Sequence, residues 1–126
     1  MSKKSLPRQF SDKQAIASAK AIRTSPQKMG LIAGLIRNKP VNEALAQLTF
    51  SKRRVSGEVK KVLSAAVANA ENNHQLDIDR LFVSRVEVGR ALVMKRFRAR
   101  AKGRGAKILK VSSNLKIIVE QREESN

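Results

Sequence analysis

Between Val88 and Val119 the sequence places ten basic side chains and no acid: Arg90, Lys95, Arg96, Arg98, Arg100, Lys102, Arg104, Lys107, Lys110 and Lys116. A set of cations without an acid or base partner offers charge neutralisation rather than proton transfer. Arginine can fork onto phosphate oxygens or stack on bases, and lysine supplies a point charge. Two strand-like runs flank the segment, and Gly103 and Gly105 mark the turn between them, so a long β-hairpin is expected. Unscreened like charges at this spacing repel, and an isolated two-stranded hairpin is marginal. The arm is therefore expected to be mobile alone and ordered by a polyanion, with nucleic-acid phosphate as the counter-charge. The competing reading is a solvated basic surface. If six side chains neutralise phosphates, the log–log salt slope on single-stranded RNA is about −4, and steeper on a duplex. Ala99, Ala101, Gly103, Gly105 and Ala106 either let backbone approach RNA closely or simply form the turn.

Other candidate groups are weaker. Lys52, Arg53, Arg54, Lys60 and Lys61 on the third predicted helix form either a second RNA surface or a solvated face. His74, the only histidine, follows a helix end and suits a surface or capping role, because no partner ligands for a metal accompany it. Glu58, Glu71, Asp77 and Asp79 form no acid–base constellation, and Asp77-Ile-Asp79 suits a loop and strand entry. No nucleophile–base or metal cluster is present. No catalysis, no cofactor and no metal site are expected.

The elements that must position the arm fit one domain. The chain has 126 residues and a formal net charge of +17, from 27 Lys plus Arg against 10 Asp plus Glu. That length supports a core burying roughly two-thirds of the unfolded surface, and the charge favours polyanions. Segment 88–126 carries 11 basic residues against three acids, Glu120, Glu123 and Glu124. The chain has no Cys, which fits a reducing compartment. Its first residues lack an apolar stretch of the secretory kind, and no apolar run approaches the roughly 18 residues of a membrane span. A soluble, cytoplasmic protein with no membrane partner is expected. With no Trp or Tyr, stacking could use only Phe10, Phe50, Phe82, Phe97, His74 or guanidinium planes, which favours phosphate and shape contacts over a stacking platform.

Residues 1–12 are polar, basic and aperiodic, an extended or flexible arm. Residues 13–24 are ambiguous: their alanines have high helix propensity, yet Ile16, Ser18, Lys20 and Ile22 alternate with Ala17, Ala19 and Ala21 as in a strand. Local rules alone lean to helix. Ser25 suits an N-cap and Pro26 the first helical position, with Met29, Ile32, Leu35 and Ile36 at helical spacing. Asn38-Lys39-Pro40 ends that helix. Asn42 can cap a short second helix with Leu45 and Leu48 inward. Ser51 can cap a third, striped by Val55, Val59, Val62, Leu63, Ala66, Val67 and Ala70. Gly57 costs that helix about 1 kcal/mol against Ala, either for close packing or as a tolerated defect. From Leu81 the period is two, and the parity switch at Ser84-Arg85 suggests a β-bulge. Leu109, Val111, Leu115, Ile117 and Val119 alternate with polar residues, a strand with one wet face. Apolar parity weakens towards the turn, so the outer hairpin is expected to leave the core.

At this point the sequence resembles a known family, bacterial large-subunit ribosomal protein L-twenty-two. Arg23-Thr-Ser-Pro-Gln-Lys28, with Leu31-Ile and Leu35-Ile-Arg37, resembles its first helix. Val62 to Asn73 resembles the end of its long helix. Met94-Lys95-Arg96, Arg100-Ala101-Lys102-Gly103-Arg104 and Ile108-Leu109-Lys110 resemble its extended hairpin. The resemblance covers about residues 15–120. It implies an α+β fold, three helices packed on a three-stranded antiparallel sheet with a long protruding β-hairpin, and it makes residues 15–24 the first strand, against the local lean. It fits one RNA-binding domain at 13–120 with the hairpin at about 85–112, while the flexible basic arm expected at 1–12 and the flexible tail expected at 121–126 match nothing in the family.

The implied role is structural: binding large-subunit rRNA, bridging several of its domains during assembly, and lining the nascent-peptide exit tunnel with the hairpin tip. Arg23, Lys28, Arg90, Lys95, Arg96, Arg98, Arg100, Lys102, Arg104, Lys107 and Lys110 are then RNA-binding candidates. Met94, Lys95, Arg96, Arg100, Lys102 and Gly103 form the tip. Implied partners are the rRNA, neighbouring large-subunit proteins, the passing nascent peptide and macrolides near the tip, with no DNA. Ala99 stands where many members have Pro, which makes the turn less rigid. The alternative function is a DNA-architectural protein with basic β-arms. Such arms usually carry an apolar or Pro wedge at the tip, whereas Gly is present here.

Overall fold

The computed structural model describes residues 13–99, 103 and 105–122, with the side chains of Ala106 and Lys107 left aside. The expected arm at 1–12, the candidates Arg100, Lys102 and Arg104, and the last four residues lie outside the described residues. In chain order the elements are β1 (Gln14–Ile22), α1 (Pro26–Ile36), α2 (Val41–Phe50), α3 (Ser56–His74), a short 3-10 turn (Ile78–Arg80), β2 (Leu81–Ala99) and β3 (Gly105–Gln121). The strands form one antiparallel sheet in the order β1-β3-β2, and the helices cover one face. This is the expected α+β architecture.

β3 is the central strand. Leu115, Ile117 and Val119 point into the helical layer and are at most 1% exposed. Beside them stand Leu81, Val83 and Val86 of β2 and Ala15 of β1. The alanines of β1 explain why this segment is a strand despite its helix propensity. A nine-residue helix gains only a few tenths of a kcal/mol per alanine and is too short to hold alone. Pairing with the central strand satisfies its backbone, and the small side chains let α3 lie close. Asn69 of α3 donates from Nδ2 to the Ile16 carbonyl at 3.0 Å.

α1 begins as expected. Ser25 is extended, its hydroxyl accepts from the Lys28 amide at 3.3 Å, and Pro26 opens the helix. Met29, Ile32, Ala33 and Ile36 are buried, while Leu35 is 39% exposed. The helix stops because Asn38 turns left-handed (φ 63°) and the next residues pair with β2. The Asn38 amide donates to Val83 O at 2.8 Å, and the Val83 amide donates to Lys39 O at 2.9 Å. Arg37 donates to Val86 O at 2.9 Å.

Two expected caps are wrong. α2 starts at Val41 after Pro40, with no side-chain cap, because Pro40 is held by its bridge to Phe82 and Asn42 already lies inside the helix. α3 starts at Ser56 rather than after Ser51. The Ser51 hydroxyl is engaged locally: it accepts from the Arg53 amide at 3.3 Å and from the Ser56 hydroxyl at 2.7 Å. Segment 51–55 is thus a tied loop. The apolar stripe of α3 is otherwise as expected, with Val59, Val62, Leu63, Ala66 and Ala70 buried. A β-carbon at Gly57 would meet nothing within 4 Å, so that glycine serves no close packing.

Candidate nucleic-acid interface

Three irregularities in the sheet aim the hairpin. The expected bulge lies between Val83 and Arg85, where the Ser84 hydroxyl donates to Ile118 O at 3.1 Å. It carries the inward parity from Val83 to Val86. A second register shift lies between Arg90 and Val93, and a third in β1 between Ala19 and Ile22. In the third, Ala21 is left-handed (φ 59°) and its amide donates to Asn114 Oδ1 at 3.1 Å. The last two shifts flank the same stretch of β3, Ser112 and Ser113, which are 3% and 0% exposed. The Ser113 hydroxyl donates to Thr24 O at 2.7 Å. Bulges bend and twist strands, and this pair marks the root where the hairpin leaves the body.

Beyond the root the arm has little core. Leu92 is 58% exposed, Val93 37%, Phe97 76% and Leu109 54%. At about 3.3 Å per residue the paired segment from Val93 to Ala99 reaches roughly 20 Å before the turn. Gly103 is left-handed (φ 70°), which only glycine adopts freely. Gly105 is already within β3, opposite Ala99. A β-carbon there would overlap the Phe97 ring, so this position needs glycine for that ring to lie over the strand.

The cross-strand register distributes the charge. Met94 faces Lys110, Lys95 faces Leu109, Arg96 faces Ile108, Phe97 faces Lys107 and Arg98 faces Ala106. Each cation stands opposite an apolar or small residue, which avoids the destabilising like-charge pair. Strand parity puts Met94, Arg96, Arg98 and Lys110 on one face and Lys95, Phe97 and Leu109 on the other. Both faces therefore carry cations, interleaved with apolar side chains. The alternation follows from the pairing of Ala99 with Gly105; pairing outward from Gly103 would instead set Arg96 opposite Lys110, so it was not legible from the turn glycines.

Among the described residues of the hairpin, charge is compensated only at the root. Glu87 lies 3.6 Å from Arg85 and 4.0 Å from Lys116, in exposed pairs of little stabilising value. Among the described residues Arg90, Lys95, Arg96, Arg98 and Lys110 have no ion pair. Arg96 donates to Lys95 O at 3.4 Å and lies 3.9 Å from the Met94 sulfur.

The wet face of the sheet is less wet than expected. Ile118, opposite Ile16 and Arg85, is 2% exposed, a second buried position that period-two reading could not assign to the core.

Arg23 and Lys28 stand away from the hairpin, at the start of α1. The fold brings them together with Arg53 and Arg54 around a cleft of about 390 Å³ that Thr24 and Ser25 also line. In the sequence the two pairs lie in separate segments, with no local pattern to join them. Among the described residues no group of three or more His, Cys, Asp or Glu could hold a metal, and no helix is long and apolar enough to cross a membrane.

This architecture can be set beside known proteins. Residues 17–120 match the family model described as Ribosomal protein L22p/L17e. A protein of Rhodospirillum centenum named "Large ribosomal subunit protein uL22" is 62% identical, over 97% of this chain and 92% of its own length. The proteins of that name from Maricaulis maris (61%, over 94% of both) and Rhodospirillum rubrum (56%, over 99% of both) are similar throughout as well. With a family model spanning both the helical body and the hairpin, and relatives this similar from end to end, the chain belongs to the ribosomal protein L22p/L17e family.

Proposed function

We propose that this chain is a non-catalytic component of the large ribosomal subunit that clamps rRNA electrostatically and lines the nascent-peptide exit tunnel with its hairpin tip. The observation that carries the RNA reading is the arm beyond Ser112–Ser113, where Arg90, Lys95, Arg96, Arg98 and Lys110 project without a described acid partner. Folded RNA brings phosphates of separate domains close together, and their repulsion opposes compaction. A cationic rod inserted among them lowers that repulsion and releases condensed counterions. Cations on both faces suit a rod surrounded by RNA better than one lying on a surface. The interleaved Phe97, Leu109 and Val93 supply apolar contact for bases or for a peptide passing the tip.

The names carried by the relatives extend this reading to assembly with large-subunit rRNA and neighbouring large-subunit proteins. Met94, Lys95, Arg96 and Gly103 would then stand at the tunnel wall, where a nascent peptide or a macrolide would meet them. A DNA-architectural arm is the competing reading, and one comparison separates the two. Affinity for a folded large-subunit rRNA transcript and for duplex DNA of equal phosphate count is measured at matched salt. Preference for the transcript supports the proposal, and equal or stronger binding of the duplex refutes it. Tunnel contact is tested by a photo-crosslinker at Met94 in ribosomes stalled with a labelled nascent chain. The crosslink should reach the peptide, and crosslinks to rRNA alone would contradict the tip assignment.

A further inference from the structure

We infer that the two faces of the arm differ in kind, and that the face carrying Lys95, Phe97 and Leu109 stacks one unpaired rRNA base on the Phe97 ring. The inference rests on the RNA-clamping reading and adds a contact that charge alone does not supply. Phe97 is the only aromatic residue between Val88 and Val119. It stands on a stretch of hairpin with no core beneath it and is exposed, so the free fold gains little from its ring. The ring is nevertheless given a fixed place. Phe97 pairs with Lys107, and Gly105 is the next residue of β3 on the same face towards the turn. The ring leans across to Gly105, where a β-carbon would overlap its far edge. Gly105 is not in the left-handed region, so its backbone would accept any residue, and the ring is what excludes them. A side chain already held over a glycine loses less rotamer freedom on binding than a free one. Phe97 thus offers a flat apolar surface at low ordering cost.

The surroundings fit a nucleotide. Lys95 lies two residues before Phe97 on the same face, roughly 7 Å along the strand, and has no ion pair among the described residues. A cation beside an aromatic ring is the combination that holds single-stranded nucleic acid, with phosphate on the charge and base on the π-face. Leu109, opposite Lys95 and exposed, extends the apolar surface on the side away from the turn. The other face has Met94, Arg96, Arg98 and Lys110 and no ring, so it offers phosphate contacts only. A passing peptide moves along the arm and needs neither a fixed ring nor a cation one nucleotide away. Stacking tolerates any base. The ring therefore does not read sequence; it sets the rotation of the arm about its own axis, with the stacked base on one side and phosphates on the other.

The test uses the full chain and a folded large-subunit rRNA transcript in salt titrations. Phe97→Leu keeps an apolar side chain and removes the π-face. It should weaken binding about 5- to 150-fold, the equivalent of one lost stack, by the same factor at every salt concentration. Gly105→Ala, which displaces the ring, should weaken binding in the same salt-independent way. Phe97→Trp should bind as the parent does. The chain has no other Trp, so its fluorescence reports this position alone, and the transcript should quench it. Arg96→Gln with Arg98→Gln is titrated in parallel as the charge control. If that pair flattens the salt slope while the Phe97→Leu chain binds like the parent, the stack is refuted and the RNA reading stands. Fluorescence that the transcript leaves unchanged, but that a nascent peptide in assembled ribosomes quenches, would give the ring to the peptide and overturn the proposal. If neither the charge pair nor Phe97→Leu changes binding, the RNA reading itself is refuted.

Discussion

Arg96 and Arg98 point to the same face of the arm, opposite Ile108 and Ala106, and both are exposed with no described acid partner. Replacing both by Gln removes two positive charges from a structure that uses neither for folding. The change in unfolding free energy should stay within about 0.5 kcal/mol, as for surface substitutions generally, and relief of like-charge repulsion would make it slightly favourable. Binding should respond differently. Each phosphate neutralised contributes about 0.7 to the log–log salt slope on single-stranded RNA and about 0.9 on a duplex. Two lost contacts therefore flatten the slope by about 1.4 to 1.8, equivalent to about 25- to 60-fold weaker binding at 0.1 M salt relative to a 1 M reference. The assay is filter binding of the full chain to a folded large-subunit rRNA transcript across a salt series, with thermal unfolding run on both proteins. A slope equal to that of the parent would refute the reasoning. So would a loss of affinity that is the same at low and high salt, because it would report lost shape rather than lost charge.

Further consequences follow from the body and the turn. Ile117→Ala empties a position of 0% exposure at the centre of the sheet and should cost about 2–5 kcal/mol in denaturant unfolding. Ser113→Ala leaves the Thr24 carbonyl without its buried donor and should cost about 1–3 kcal/mol, read by the same method; an unchanged midpoint would show that water replaces the hydroxyl. Gly105→Ala must push the Phe97 ring off the strand, so the Phe97 ring resonances should shift while the unfolding free energy changes by no more than about 0.5 kcal/mol, since Phe97 is 76% exposed.

What the sequence disclosed depended on how local its causes were. The α1 start was legible because Ser25 and Pro26 act within one turn, and the Ser84 bulge because it shifts parity along a single strand. The strand at 14–22 was not legible from propensity: its alanines favour helix, and only its place between β3 and α3 decides otherwise. The resemblance to a family supplied that answer. The cap at Asn42 failed because a tertiary contact holds its neighbour, Pro40 bridging to Phe82, and the cap at Ser51 because its hydroxyl is engaged within the loop by Arg53 and Ser56. Ile118 was invisible because burial on the open face depends on what lies across the sheet. On the candidate interface, the charge run and its turn could be read directly. The cleft could not, since Lys28 and Arg53 meet only after β1, α1 and the 51–55 loop have packed.

The proposed role requires the arm to be a finger that enters ribosomal RNA. The most direct measurement is where a tagged copy of the full chain sediments when bacterial lysate is resolved on a sucrose gradient. The tag should appear in the large-subunit and whole-ribosome fractions, with the Arg96→Gln, Arg98→Gln chain partly lost to the top of the gradient. The tag found wholly at the top, as free protein, or travelling with DNA would contradict it.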